Sequence, residues 1–122
     1  MEPELAGEVA EGFRLGRRLQ WEPERTGRTV ADGVRTGPSE LTWAHLEALL
    51  DDVVTVGEDS ILEAMRQVVL RSRLVCEPSG AVAPAAVTSG VVDPGAGPVV
   101  AVVSGGNVDP DLLAAVVRGQ RG

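Results

Sequence analysis

Five consecutive apolar residues, Val99 to Val103, run without alternation into Ser104-Gly105-Gly106-Asn107. A half-exposed strand alternates apolar and polar side chains, so an unbroken run suits a strand buried on both faces of a parallel sheet. Such a sheet needs helices over both faces and several neighbouring strands. In open α/β sheets, ligands bind at the carboxyl ends of the strands, which is where Ser104 and the two glycines fall. Glycine lets the backbone approach a ligand with no side chain in the way, and Ser104 and Asn107 offer hydrogen bonds. From these residues alone, a plain turn after a strand is an equally good reading.

The rest of the chain alternates helical and strand-like segments. Glu4 to Arg18 is predicted as a helix: Leu5, Val9 and Phe13 are four apart, acids lead and arginines close. Pro3 suits its first turn. Trp21 to Arg28 reads as a polar connection. Thr42 to Leu50 is a second helix with Thr42 as N-cap, followed by a β-branched strand, Val53 to Val56. Asp59 to Ser72 carries Ile61, Leu62, Met65, Val68 and Val69 on one stripe. An Ala-rich segment, Ala81 to Val87, contains Pro84, expected to bend or shorten any helix there. Ser89 to Pro98 reads as loop. Asp109 and Pro110 open a short closing helix, Leu112 to Arg118. The expected fold class is α/β, a partial open parallel sheet with flanking helices. Two or three strands make a poor sheet alone, so residues 1–122 are expected to be part of a domain.

Composition removes several functions. All 11 cationic residues are arginines, against 18 acids, for a net charge of -7. With no lysine, no side chain can form a Schiff base or act as a P-loop lysine. One His and one Cys exclude His- or Cys-rich metal sites and internal disulfides. Excess acid argues against nucleic-acid or anionic-membrane partners. No apolar run is long enough to span a bilayer and the acidic start is unlike a signal peptide, so the expected location is cytoplasmic.

Few other residues suggest chemistry. Glu77, before Pro78-Ser79-Gly80, reads first as an exposed acid favoured by a helix N-terminus. Glu2, Glu4, Glu8 and Glu11 read first as a solvated acidic face, although hard cations favour such oxygens. His45 reads as a surface or packing residue and Cys76 as a small buried hydrophobe.

Five segments, taken together, resemble one family. They are Glu2-Pro3-Glu4-Leu5-Ala6, Thr29-Val30-Ala31-Asp32-Gly33-Val34, Leu50-Asp51-Asp52-Val53-Val54-Thr55-Val56, Glu77-Pro78-Ser79-Gly80-Ala81, and Val102-Val103-Ser104-Gly105-Gly106-Asn107-Val108-Asp109. In that order they resemble the carboxyl-terminal part of threonine/serine dehydratases and serine racemases, pyridoxal-phosphate enzymes of the tryptophan-synthase-β fold type. The resemblance implies that Ser104 faces the pyridine nitrogen of pyridoxal phosphate. A neutral hydroxyl does not force protonation of that nitrogen, which weakens the ring as an electron sink and suits β-elimination of water. It further implies that Gly105 and Gly106 keep the backbone close to the ring, that Gly33 approaches from another loop, and that Glu77 lies near the rim. Glu2, the Ala6 carbonyl and Glu8 match a divalent-cation site for Mg²⁺ or Ca²⁺, with Glu8 standing where Asp is usual. The family's Schiff-base lysine and phosphate-cradling loop belong to an amino-terminal portion that these residues do not match. The resemblance therefore implies an amino-acid substrate for the parent enzyme, no catalytic residue within this chain, and a homodimer or an N-terminal complementing chain as partner. A non-catalytic binding module is the alternative.

Overall fold

The computed structural model describes residues 1–93 and 95–120. It begins with a two-residue strand, β1 (Glu2–Pro3), which pairs in parallel with β2 (Thr55–Val56), Glu2 opposite Thr55 and Pro3 opposite Val56. Between them lie α1 (Glu8–Leu15), the single-turn α2 (Pro23–Thr26) and α3 (Glu40–Leu49). After β2 come α4 (Glu58–Gln67), α5 (Pro78–Thr88) and α6 (Pro110–Val117).

The α4–α5 contact is the most extensive in the fold. The α4 stripe read from the sequence is the reason: Ile61, Ala64 and Met65 are fully buried and meet Ala81, Val82, Ala85 and Ala86 of α5. Alanines on α5 let the two helices approach closely. Val56, Cys76, Ala31 and Val116 complete the core. Past Gln67 the chain widens into a π-helical turn, Val68–Ser72, and stops at Arg73, whose φ of 60° is left-handed. A left-handed residue ends a helix by turning the chain away from its axis.

Several boundaries differ from expectation. Pro3 lies in β1, and the first helix breaks into a 3₁₀ turn, Glu4–Ala6, and α1. The Glu2 carboxylate accepts from the Val9 and Ala10 N–H groups at 3.2 and 2.8 Å, satisfying free donors at the start of α1. Ser39, not Thr42, caps α3, its hydroxyl accepting from Thr42 N–H at 3.2 Å. The connection after Trp21 contains α2. Helix α5 runs through Pro84 and reaches Thr88, whose hydroxyl donates to the Pro84 carbonyl at 3.0 Å. Asp109 caps α6 as expected, accepting from Asp111 and Leu112 N–H.

The largest difference concerns Val99 to Val103. These residues form no strand; Val100 is 87% exposed and Val102 67%. A strand is stable only when its backbone groups find a ladder. Among the described residues, the only sheet is β1–β2, and it does not reach the valine run.

Candidate functional site

The segment after the valine run is held by the first turn of α5. Glu77 N–H donates to the Gly105 carbonyl at 3.2 Å. Gly80 lies so close to the Ser104 and Gly105 carbonyls that a Cβ there would overlap them. Gly105 has φ 82°, and a Cβ on it would run into the Glu77 carboxylate. Both glycines are thus required by close approach and not merely by turn geometry. Gly106 lies against the Val75 carbonyl.

A second loop reaches the same turn. Residues Asp32–Val34 form a 3₁₀ turn, and Gly33 N–H donates to the Ser79 hydroxyl oxygen at 2.9 Å. The loop is fixed from its other side by Glu58 at the start of α4. One carboxylate oxygen accepts from the Thr29 hydroxyl at 2.8 Å and the other from Val30 N–H at 2.7 Å. Thr29 in turn accepts from Ala31 N–H, and its carbonyl accepts from Arg35.

These segments border an open cavity of about 240 Å³, lined by Val34, Ser79, Val82, Ala83, Val102 and Ser104 together with Met1. Two hydroxyls stand in an otherwise apolar wall. A larger hollow of about 430 Å³ lies at the other end of α5, beside Arg66, Gln67 and Thr88. None of the candidate site residues named from the sequence lines it. The structure therefore brings Ser104, Gly105, Gly33 and Glu77 around one helix turn. Ser104 lines the cavity, whereas Glu77 is turned to Gly105.

The acidic start is a solvated face only at Glu4. Glu8 is buried and accepts from Trp21 N–H, while Glu11 accepts from the Trp21 indole N–H at 2.9 Å. Arg25 stacks on that indole. Burial pushes the Glu2 carboxyl above its ordinary value, against the lowering effect of its two N–H partners, and the Glu8 charge adds to the rise. Among the described residues, no group of three or more His, Cys, Asp and Glu is gathered to hold a metal. His45 is exposed and bonds the Leu41 carbonyl. Cys76 is fully buried, and burial, then the Glu77 charge, pushes its thiol up.

Sequence reasoning assigns no role to Ser79 or Glu58. Ser79 lies within a family-like segment, but its partner is 46 residues away, and no local pattern reports such a pairing. Glu58 looks like any acid in a first helical turn.

Residues 1–105 match the family described as pyridoxal-phosphate dependent enzyme. The chain belongs to that family. Serine racemase of Rattus norvegicus is 41% identical over 96 residues, which are 76% of this chain and 29% of the rat protein. The catabolic L-threonine dehydratase of Escherichia coli K12 is 40% identical over 88 residues, 70% of this chain and 27% of that protein. Among solved structures, a threonine deaminase from T.th. superposes with a TM-score of 0.75 at 38% identity, covering 88% of this chain and 38% of the other. Maize serine racemase gives 0.79 at 30% identity, covering 97% and 36%. The chain thus spans under two fifths of the proteins it matches. Its mixed α/β fold with a small parallel sheet is a part of theirs.

The residues present fit the ring of pyridoxal phosphate. An apolar cavity with two hydroxyls accommodates a flat heteroaromatic, and the glycines around it leave the approach open. The residues that could hold that ring are Ser104, Gly33 and Gly105. No residue of the chain is a lysine.

Proposed function

We propose that this chain forms the ring-binding side of a pyridoxal-phosphate dependent enzyme. The enzyme would act on serine or threonine, either removing ammonia to leave a 2-oxo acid or racemising serine. The reaction needs a lysine-bearing amino-terminal portion, in the same polypeptide or a complementing one. One observation carries the reading: Ser104 lines a small apolar cavity built on the first turn of α5, with the Gly33 loop tied to the same turn.

Bound pyridoxal phosphate supplies a π-system that accepts electrons from the substrate's α-carbon. The Ser104 hydroxyl donates to the ring nitrogen without imposing a charge on it. The nearby N-terminus of α5 opposes a positive charge there. Val34 and Val82 would offer apolar contact to the ring from the 3₁₀ turn and from α5. Glu77 holds the Gly105 segment by its backbone N–H. The same reading makes Glu2, the Ala6 carbonyl and Glu8 a site for Mg²⁺ or Ca²⁺.

The test is an NMR titration with 4-deoxypyridoxine 5′-phosphate, which lacks the carbonyl that would couple to the N-terminal amine. The amides of Ser104, Gly105, Gly33 and Ser79 are expected to shift together and saturate. Shifts confined to other residues, or none at millimolar probe, would overturn the reading. In parallel, the chain with pyridoxal phosphate and serine should release no more pyruvate than pyridoxal phosphate alone.

A further inference from the structure

Of the seven residues that line the smaller cavity, only Ser79 and Ser104 have polar side chains. Ser104 already has a role in the reading above. Ser79 is the second residue of α5, after Pro78 and the N-cap Glu77. Its hydroxyl oxygen accepts from Gly33 N–H, across 46 residues of sequence, at 2.9 Å.

That bond joins two separately built parts of the wall. Val34, the residue after Gly33, lines the cavity from the 3₁₀ turn; Ser79, Val82 and Ala83 line it from α5. Behind the turn, the Glu58 clamp fixes Thr29 and Val30. It holds the loop at its root but not at its tip, where Gly33 is exposed. The Gly33–Ser79 bond is the tie at the tip. Space there is tight, since a Cβ on Gly33 would lie 3.0 Å from the Ser79 oxygen. Val34 itself packs against the core that includes α5, and the Gly33–Ser79 hydrogen bond is the polar link that ties the tip of the turn to that helix.

We propose that Ser79 is a positioning residue: by holding the Gly33 turn against α5, its hydroxyl sets the width of the slot that receives the cofactor ring. The inference rests on the function proposed above. Without the tie, only apolar packing of Val34 holds the turn against α5, its tip loosens, and a flat ring is gripped less firmly on that face. A neutral hydrogen bond contributes on the order of 1 kcal/mol net, which corresponds to roughly a fivefold change in binding.

The experiment compares the wild-type chain with Ser79→Ala and Ser79→Thr, using 4-deoxypyridoxine 5′-phosphate as probe and hydrogen exchange at the Gly33 amide as a second readout. In Ser79→Ala, the Gly33 amide should exchange about fivefold faster and the probe bind about fivefold more weakly, with the thermal melt little changed. Ser79→Thr, which keeps the hydroxyl, should restore both. Equal probe affinity in wild type and Ser79→Ala overturns the positioning role while leaving the proposed function standing. A wild-type chain that does not bind the probe overturns both. Faster Gly33 exchange with unchanged affinity shows a merely structural tie and likewise defeats the inference.

Discussion

The α4–α5 centre and the Val99–Val103 arm use apolar residues to opposite ends. In the first, Ile61, Ala64, Met65, Ala81 and Ala85 are at most 1% exposed. In the second, Val100 and Val102 stand largely in solvent. What differs is where their partners lie. The α4 stripe meets the alanine face of α5, the next α-helix in sequence, so its burial is complete within the chain. A strand of a parallel sheet depends on neighbours that are distant in sequence. The described residues supply only β1 and β2 as strands, and neither reaches the arm. Local hydrophobic pattern therefore specifies a helix pair by itself, but for a strand it specifies only a requirement.

The sharpest way to break this contrast is to empty the centre. Ile61→Ala should lower unfolding free energy by about 2–5 kcal/mol, from lost transfer energy and the cavity left behind. Urea denaturation followed by circular dichroism measures it. A loss under about 1 kcal/mol would mean that the α4–α5 contact is far looser than its burial indicates.

The same contrast explains what is legible in the sequence. The helices α4 and α6 are legible because periodicity and caps are local: the Ile61–Met65 stripe and the Asp109-Pro110 start both follow from residues a turn or two apart. The close backbone approach at Ser104-Gly105-Gly106 is legible in its two glycines, and only the resemblance brings Gly33 and Glu77 to the same helix turn. The break at Gly7 is not legible, because it depends on Glu2 reaching over to Val9 and Ala10. Nor are the Glu58 clamp and the Ser79 tie, which join residues 28 to 46 positions apart. Hydrogen bonds of that span carry no period and no composition signal. Val99 to Val103 has the pattern of a strand without being one here, because that pattern states what would bury it without supplying it.

A smaller effect separates the arm from the centre. Val100→Lys should change unfolding free energy by no more than about 0.5 kcal/mol, since the side chain is already in water. An unpaired apolar edge does, however, invite pairing with other chains, and lysine is the residue that discourages it. Light scattering across a concentration series should show less self-association in Val100→Lys than in wild type. Equal association would show that the arm is not the contact surface; a large stability loss would show that it is packed after all.

The smallest expected effect concerns the Glu2 carboxyl, which holds β1 and α1 together. Burial raises its pKa in the fold above the ordinary value of 4.5, more than the Ala10 and Val9 N–H groups lower it, and the Glu8 charge raises it further. The unfolded chain thus releases this proton at lower pH than the folded chain does. Between the ordinary value and the raised one, the folded state binds more protons, so this group makes stability fall as pH rises, and the decline ends above the folded pKa. Other carboxylates titrate in the same range, so the informative quantity is the difference between wild type and Glu2→Gln. Relative to that variant, wild type should lose stability as pH rises through this window and stay level above it. Glu8→Gln, which removes the neighbouring charge, should shift the upper edge of the window to lower pH. If Glu8→Gln leaves that edge in place, the two carboxylates do not sense one another across the start of α1.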